Sequence, residues 1–371
     1  MLSRIAEAMY WIGRYVERAE DTARITDVNY HHTLGMGVST TDDLRRQRQW
    51  ESLIAIVGDQ QRFADAYGVA SEQTVPPYLI FDAGNPNSVI SCVARAREQA
   101  GALRHQIASE MWEALNRFHL ELQQRRFVGE QPFSSHTTAH TFYRSVIEFS
   151  HLFQGVTDST MPREEGWHFL QAGKFLERAE KTARALDVKV RLLMTEALMA
   201  EQGDWTGLTV PAPAVAQYVA LQDVPGDPHQ WLAVLRSMSA YEAYHKLYRS
   251  AVRPRSVIEM LAFSPVFPRS IRFSIGEVQG ALSAIAASRV AESSSFGDIA
   301  TVRLASYRVA EAERAVGWLD SQLAFANIDE VLSAGLHPYL LDLERRCYQI
   351  GEHIQRQYFA PRVLRAEELF A

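Results

Sequence analysis

The apolar residues nearest the start of the chain, Ile5, Met9, Ile12, Val16, Ala19 and Ala23, are separated by 4, 3, 4, 3 and 4 positions. Only a long α-helix with one buried stripe puts all six on the same side, because a strand would alternate them between two faces. The same helical period recurs along the chain, and alternating strand patterns are essentially absent. A second helix is expected behind Asp42 and Asp43 as its N-cap, carrying Leu44, Trp50, Leu53, Ile54 and Val57. "NPNS" (85–88) places an Asn at an N-cap and Pro86 at the first position of a long helix running to about Phe118. Further helices are expected over 134–153, behind Pro162 with its two early glutamates, from Asp227–Pro228 to Arg249, from Pro268 to Glu292, and over 297–325 and 338–359. The interrupted, proline-bearing segment 201–228 reads as the main loop. The expected fold is all-α, a multi-helix bundle.

A charged phrase occurs twice. Aligned at an offset of 160, "IGRYVERAEDTARITDVNY" (12–30) and "AGKFLERAEKTARALDVKV" (172–190) share ten of nineteen residues. A weaker echo in the same order links "NPNSVISCVARAREQAGAL" from Asn85 to "FPRSIRFSIGEVQGALSAI" from Phe267. Duplication of a helical unit accounts for both. The expected halves, 1–158 and 159–371, pack in one body about a pseudo-two-fold axis, because each carries a similar apolar face.

On a helical wheel Glu20 and Asp27 lie about 40 to 60° from the centre of the stripe, and Glu17 and Arg24 about 100 to 120°. These four border the buried face, whereas Arg18 points largely elsewhere, with Arg14, Trp11 and Thr22. The second copy repeats both sets as Glu177, Glu180, Arg184 and Asp187, and as Lys174, Arg178 and Thr182. An exposed i,i+4 pair such as Glu20–Arg24 stabilises a helix by only about 0.2 to 0.5 kcal/mol. An exposed ladder also does not need the same charge order twice. The alternative is a paired cluster where the halves meet, which either knits them together or presents charges to a ligand.

Composition limits the function classes. The net charge is −6 with a pI near 6.1, which does not suit a general nucleic-acid binder. Two cysteines, Cys92 and Cys347, form neither a disulfide framework nor a metal-type pair. Arg4 and Glu7 interrupt what would be a signal-peptide apolar region, and the longest uncharged stretch, Trp205 to Gln222, contains Pro211 and Pro213. A cytoplasmic protein with no membrane partner is expected. No GxSxG elbow, GxxxxGK[ST] loop or GxGxxG turn is present, so ATP, if used, is expected to be bound by another protein.

Three further constellations carry chemistry. Tyr248–Phe273 holds Arg249, Arg253, Arg255, Arg269 and Arg272 against the single acid Glu259. Arg269 and Ser270 follow Pro268 at an expected helix start, where free N–H groups favour an anion, a peptide carboxylate or a phosphate. Arg97 and Arg104 occupy the matching region of the first half. Glu-x-x-His occurs at Glu148/His151, Glu165/His168 and Glu242/His245, and His136 and His140 lie four apart. These pairs are a mild excess and not a di-iron signature, so no metal is assigned.

"MYWIGRYVERAEDTAR", its echo "FLQAGKFLERAEKTAR", "NPNSVISCVARAREQAGALRHQIASEMWEALN" and "FPRSIRF" together resemble the alpha-E family, helical proteins named for a Glu-Arg motif. The resemblance spreads over about residues 1 to 290. It implies partnership with a circularly permuted ATP-grasp ligase, often with a transglutaminase-like or amidohydrolase-type protein. The implied role lies in ATP-dependent amide or peptide bond formation or peptide modification, with an amino acid or peptide as substrate. If this chain is itself catalytic, Glu17, Glu20, Glu177 and Glu180 are the candidate general bases. Arg14, Arg18, Arg24, Lys174, Arg178 and Arg184, with Arg97, Arg104, Arg269 and Ser270, are the candidate substrate or anion contacts. A non-catalytic helical scaffold and a metal-dependent helical-bundle enzyme are the alternatives.

Overall fold

The computed structural model describes residues 1–36, 39–128, 136–202, 228–294 and 311–359. The predicted stripe forms α1 (Ser3–Leu34), and all six of its apolar residues are buried. The echo lies on α8 (Glu165–Gln202), the longest of the fifteen helices among the described residues, which include no strand. α1 and α8 cross at the centre of the molecule. α5 (Val89–Ala102) and α7 (His136–Thr160) cover α1, while α12 (Ile271–Ser294) and α15 (Leu336–Ile354) cover α8. Buried apolar side chains from both halves of the sequence join in one continuous core.

Several helix boundaries differ from the sequence expectation, each for a local reason. α2 (Thr40–Val57) is capped by Ser39, whose hydroxyl accepts from the Asp42 N–H, so Asp42 lies in the first turn. α5 is capped by Ser88. Asn85 instead holds the preceding turn, donating to the Tyr78 carbonyl and accepting from the Asn87 N–H. The single helix expected over 86–118 is two, α5 and α6 (Ser109–Val128). They fold back on each other where Trp112 packs on Gly101, whose missing side chain leaves room for the indole.

The helix expected from 228 to 249 is likewise divided, into α9 (Pro228–Ser237) and α10 (Tyr241–Tyr248), at Ser239 with φ of 50°. The expected helix over 338–359 begins earlier, at Leu336, and closes in a π-helical turn, Gln355–Phe359. Short helices α3 (Gln60–Tyr67), α4 (Val75–Ile80), α11 (Pro254–Phe263) and α14 (Ile328–Ala334) complete the described chain with α13 (Glu311–Phe325). α8 runs two residues into the loop expected over 201–228, and residues 203–227 of that loop, with the first part of the helix expected at 297, lie outside the described residues. No helix among the described residues is long and apolar enough to cross a membrane.

Candidate functional site

Two glycines allow the central helices to touch backbone to backbone. A Cβ on Gly13 would lie 2.9 Å from the Lys174 nitrogen and closer still to the Leu170 carbonyl oxygen. A Cβ on Gly173 would lie 2.9 Å from the Tyr10 carbonyl carbon and closer still to its oxygen. The two contacts are reciprocal, since 13 and 173, and likewise 10 and 170, differ by 160.

The charged phrase is reciprocal in the same sense. Arg18 donates from Nε and Nη2 to the two oxygens of Glu177 at 2.7 and 2.9 Å. Arg178 donates in the same two-pronged way to Glu17, at 2.6 and 2.8 Å. Each Glu-Arg dipeptide is therefore split between two bonds, both made to the other helix. A third hydrogen bond from each guanidinium goes to the loop that opens the covering helix, from Arg18 to the Asn87 side chain at 2.8 Å and from Arg178 to the Pro268 carbonyl at 3.2 Å. Both glutamates are fully buried. Such buried pairs need both carboxylate oxygens hydrogen-bonded, as they are in Glu17 and Glu177.

Other predicted residues extend the cluster. Arg14 donates to Glu177 at 2.7 Å and to Glu180 at 2.5 Å, and also to the Tyr10 hydroxyl. Glu20, fully buried, accepts from Arg24 at 2.6 Å, from Arg269, and from Ser150 on α7 at 2.7 Å. Arg269 also reaches Asp21 at 2.8 Å. Arg184 turns away from the crossing to Glu344 on α15, at 3.0 Å. Lys174 and Lys181 are buried with no ion pair among the described residues, and the Lys174 ammonium rests 4.7 Å over the Phe175 ring.

The other candidate residues have different surroundings. Arg97 bonds Asn116 at 2.7 Å and, like Arg104, stacks over Trp112, away from the crossing. Ser270 caps α12 by accepting from the Phe273 N–H, and donates to the Ser264 carbonyl, so its hydroxyl serves the fold. Arg269 points inward to three carboxylates, and Arg255 pairs with Asp329 at 2.8 Å. The arginine-rich segment therefore spends these two side chains within the protein.

The electrostatics divide the carboxylates. Burial opposes ionisation of Glu177, but Arg18 and Arg14 outweigh it and hold its pKa well below the usual range. Burial likewise opposes ionisation of Glu20, and Arg269 with His151 and Arg24 holds it low. A carboxylate so stabilised, with its oxygens occupied by arginines, is a poor proton acceptor. Asp21 goes the other way: burial and the neighbouring Glu17 raise it to about 7, and its Oδ2 has no hydrogen-bond partner among the described residues. Burial lowers both lysines, with help from Arg178 at Lys174; at Lys181 Glu177 partly offsets burial.

The open space lies further along α1. A cavity of about 760 Å³ is bounded by α1, α2, α7 and α9, with Asp27, His31, Asp42, Arg45, His140 and Arg236 in its wall. His140 Nδ1 is 3.0 Å from Asp27 Oδ1, and His31 Nδ1 is 3.3 Å from the same oxygen. These are the only three His, Cys, Asp or Glu residues among the described residues grouped closely enough to share a metal ion. The Glu-x-x-His pairs form no such group: Glu165 holds the Met1 amine and Arg289, and Glu148 pairs with Arg144. The i,i+4 spacing of Asp27 and His31 was a visible signal. The arrival of His140, Ser150 and Asn87 from other helices was not.

No curated protein and no solved structure matches the chain. A family model does match, over residues 1–359, and its description, "a predicted alpha-helical domain with a conserved ER motif", agrees with an all-helical body centred on Glu17-Arg18 and Glu177-Arg178. On that match, which covers nearly the whole sequence, the chain belongs to the Alpha-E family.

Proposed function

We propose that this protein acts beside a circularly permuted ATP-grasp ligase in forming or modifying an amide or peptide bond. Its own part is to hold a charged substrate or acyl intermediate for that ligase. In this reading the Glu-Arg crossing is a rigid frame, and the cavity beside it is the seat. The observation that carries the assignment of the seat is the wall of the cavity, which offers acids, Asp27 and Asp42, together with cations, Arg45 and Arg236. A wall of both signs suits a zwitterionic amino acid or a peptide terminus, and about 760 Å³ is ample for either. The ligase enters through the family resemblance, and ATP belongs to that partner. We further read the two halves, 1–158 and 159–371, as copies of one helical unit about a pseudo-two-fold axis. The 160-residue reciprocity of the glycine contacts and the Glu-Arg pairs supports this.

The test is a mass-spectrometric product assay with ATP, amino acids and the cognate ligase, with and without this chain. Arg236→Glu, at an exposed cavity position, is expected to abolish the change in product while leaving the fold intact. A purified chain that neither alters the ligase's products nor binds the ligase or its substrates would sink the proposal.

A second reading, a non-catalytic assembly protein, is favoured by one observation: the charges of the Glu-Arg dipeptides are consumed between α1 and α8. Arg18→Ala and Arg178→Ala separate the readings. A destabilised protein with proportionate loss of function indicates a purely structural crossing, and a well-folded inactive one indicates a site there.

A further inference from the structure

We infer that Asp27, His31 and His140 form a binding site for one divalent transition-metal ion of the zinc or ferrous class. The argument begins with charge. Asp27 is buried, and its ion-pair contacts are with the two histidines alone; no Arg or Lys side chain among the described residues lies within ion-pair distance. A buried carboxylate needs a counter-charge, and the fully buried Glu17, Glu20 and Glu177 at the centre of this molecule each have an arginine. A divalent cation held by Asp27 and neutral imidazoles supplies one.

The spacing agrees. Two ligands each about 2.0 to 2.1 Å from a zinc ion lie roughly 3.3 Å apart at a tetrahedral angle. The Asp27 oxygen is 3.0 Å from one histidine nitrogen and 3.3 Å from the other. One ligand atom from each residue can be chosen so that all three lie within 4.8 Å of one another. Both imidazole side chains are about half exposed, at 48%, so small rotations can bring them together on one ion. The scaffold is firm where it must be. Asp27 and His31 are one turn apart on α1, and α7, which supplies His140, packs along α1. His31 Nδ1 also lies 2.9 Å from the Asp27 carbonyl oxygen, a contact that binding an ion through that nitrogen exchanges for the metal bond.

Two imidazoles with one carboxylate favour zinc or ferrous iron over calcium and magnesium, which prefer oxygen ligands. All three residues line the cavity, so an ion there borders it and keeps positions open for water or a carboxylate. This inference goes beyond the ligase reading and does not need it, because its readout is metal binding.

The experiment uses the full-length protein without a histidine tag, stripped with chelator and titrated with Zn²⁺ and with Co²⁺ by calorimetry and visible absorption. One saturable equivalent is expected, with cobalt d–d bands. His31→Ala, His140→Ala and Asp27→Asn should each weaken binding at least about tenfold. The histidine variants remove half-exposed side chains, and urea midpoints verify their folds. Absence of a saturable equivalent in the wild type, or unchanged affinity in either folded histidine variant, overturns the inference.

Discussion

Placing a methyl group at Gly173 tests whether the α1–α8 crossing governs this fold. In a helix interior, Gly→Ala ordinarily stabilises by about 0.5 to 1 kcal/mol. Here the new Cβ would lie 2.9 Å from the Tyr10 carbonyl carbon and closer to its oxygen, where ordinary contacts begin at 3.4 Å. Both obstacles are backbone, so no rotamer change relieves them, and the helices must separate by roughly 1 Å. That movement stretches the Arg178–Glu17 and Arg18–Glu177 bonds from 2.6–2.9 Å to beyond hydrogen-bonding reach, roughly 3.6 Å or more. Overpacking costs about 1 to 3 kcal/mol, and each weakened bond to a charged group up to about 1.5 to 3 kcal/mol. Gly173→Ala should therefore lose roughly 3 to 5 kcal/mol, a sizeable part of a total near 5 to 15 kcal/mol. Gly13→Ala should lose a similar amount. The double variant should lose less than the sum, because one separation relieves both clashes. Urea unfolding followed by far-ultraviolet circular dichroism measures all three. Gly280→Ala on α12 is the control, since its Cβ would meet nothing within 4 Å, and it should be neutral or slightly stabilising. A Gly173→Ala protein as stable as wild type would refute the reasoning.

Two further outcomes are expected. Arg178→Ala leaves the fully buried Glu17 without its two-pronged partner and should cost about 3 to 5 kcal/mol in the same unfolding assay; Arg18→Ala should cost less, because Arg14 still holds Glu177 at 2.7 Å, whereas Arg269 lies 3.4 Å from Glu17. The pH profile of stability should peak on the mildly acidic side. The raised Asp21 contributes stability below its ordinary pKa of 3.8 that is lost as pH rises through about 7, whereas the depressed Glu20 and Glu177 contribute above 4.5 and lose their contribution as pH falls further. Asp21→Asn should flatten the decline toward pH 8, and midpoints between pH 4 and 8 that show no such difference would contradict the assignment.

What the sequence makes legible varies with the range of the interaction. The apolar stripe of α1 gave the helix and its buried face, because a 3.6-residue period is a local property of the chain. The wheel placed Glu17 and Glu20 at the margin of that face, yet both are fully buried, since α7 and α8 cover the margin. It set Arg18 apart from Glu17, and their bonds do go to different partners on α8. Helix boundaries were less legible: the fold-back at Gly101 depends on Trp112 eleven residues later.

By itself, then, the sequence determined the helices, the repeated charge order, the paired glycines and the one-turn spacing of Asp27 and His31. Tertiary structure decided which carboxylate each arginine meets, that Arg269 turns inward to Glu20 and Asp21, and that His140 joins Asp27 beside a cavity. The physical reason is that periodicity fixes a side chain's direction about its own helix axis. What it meets there depends on the register at which two helices dock, and here backbone contact at Gly13 and Gly173 sets that register.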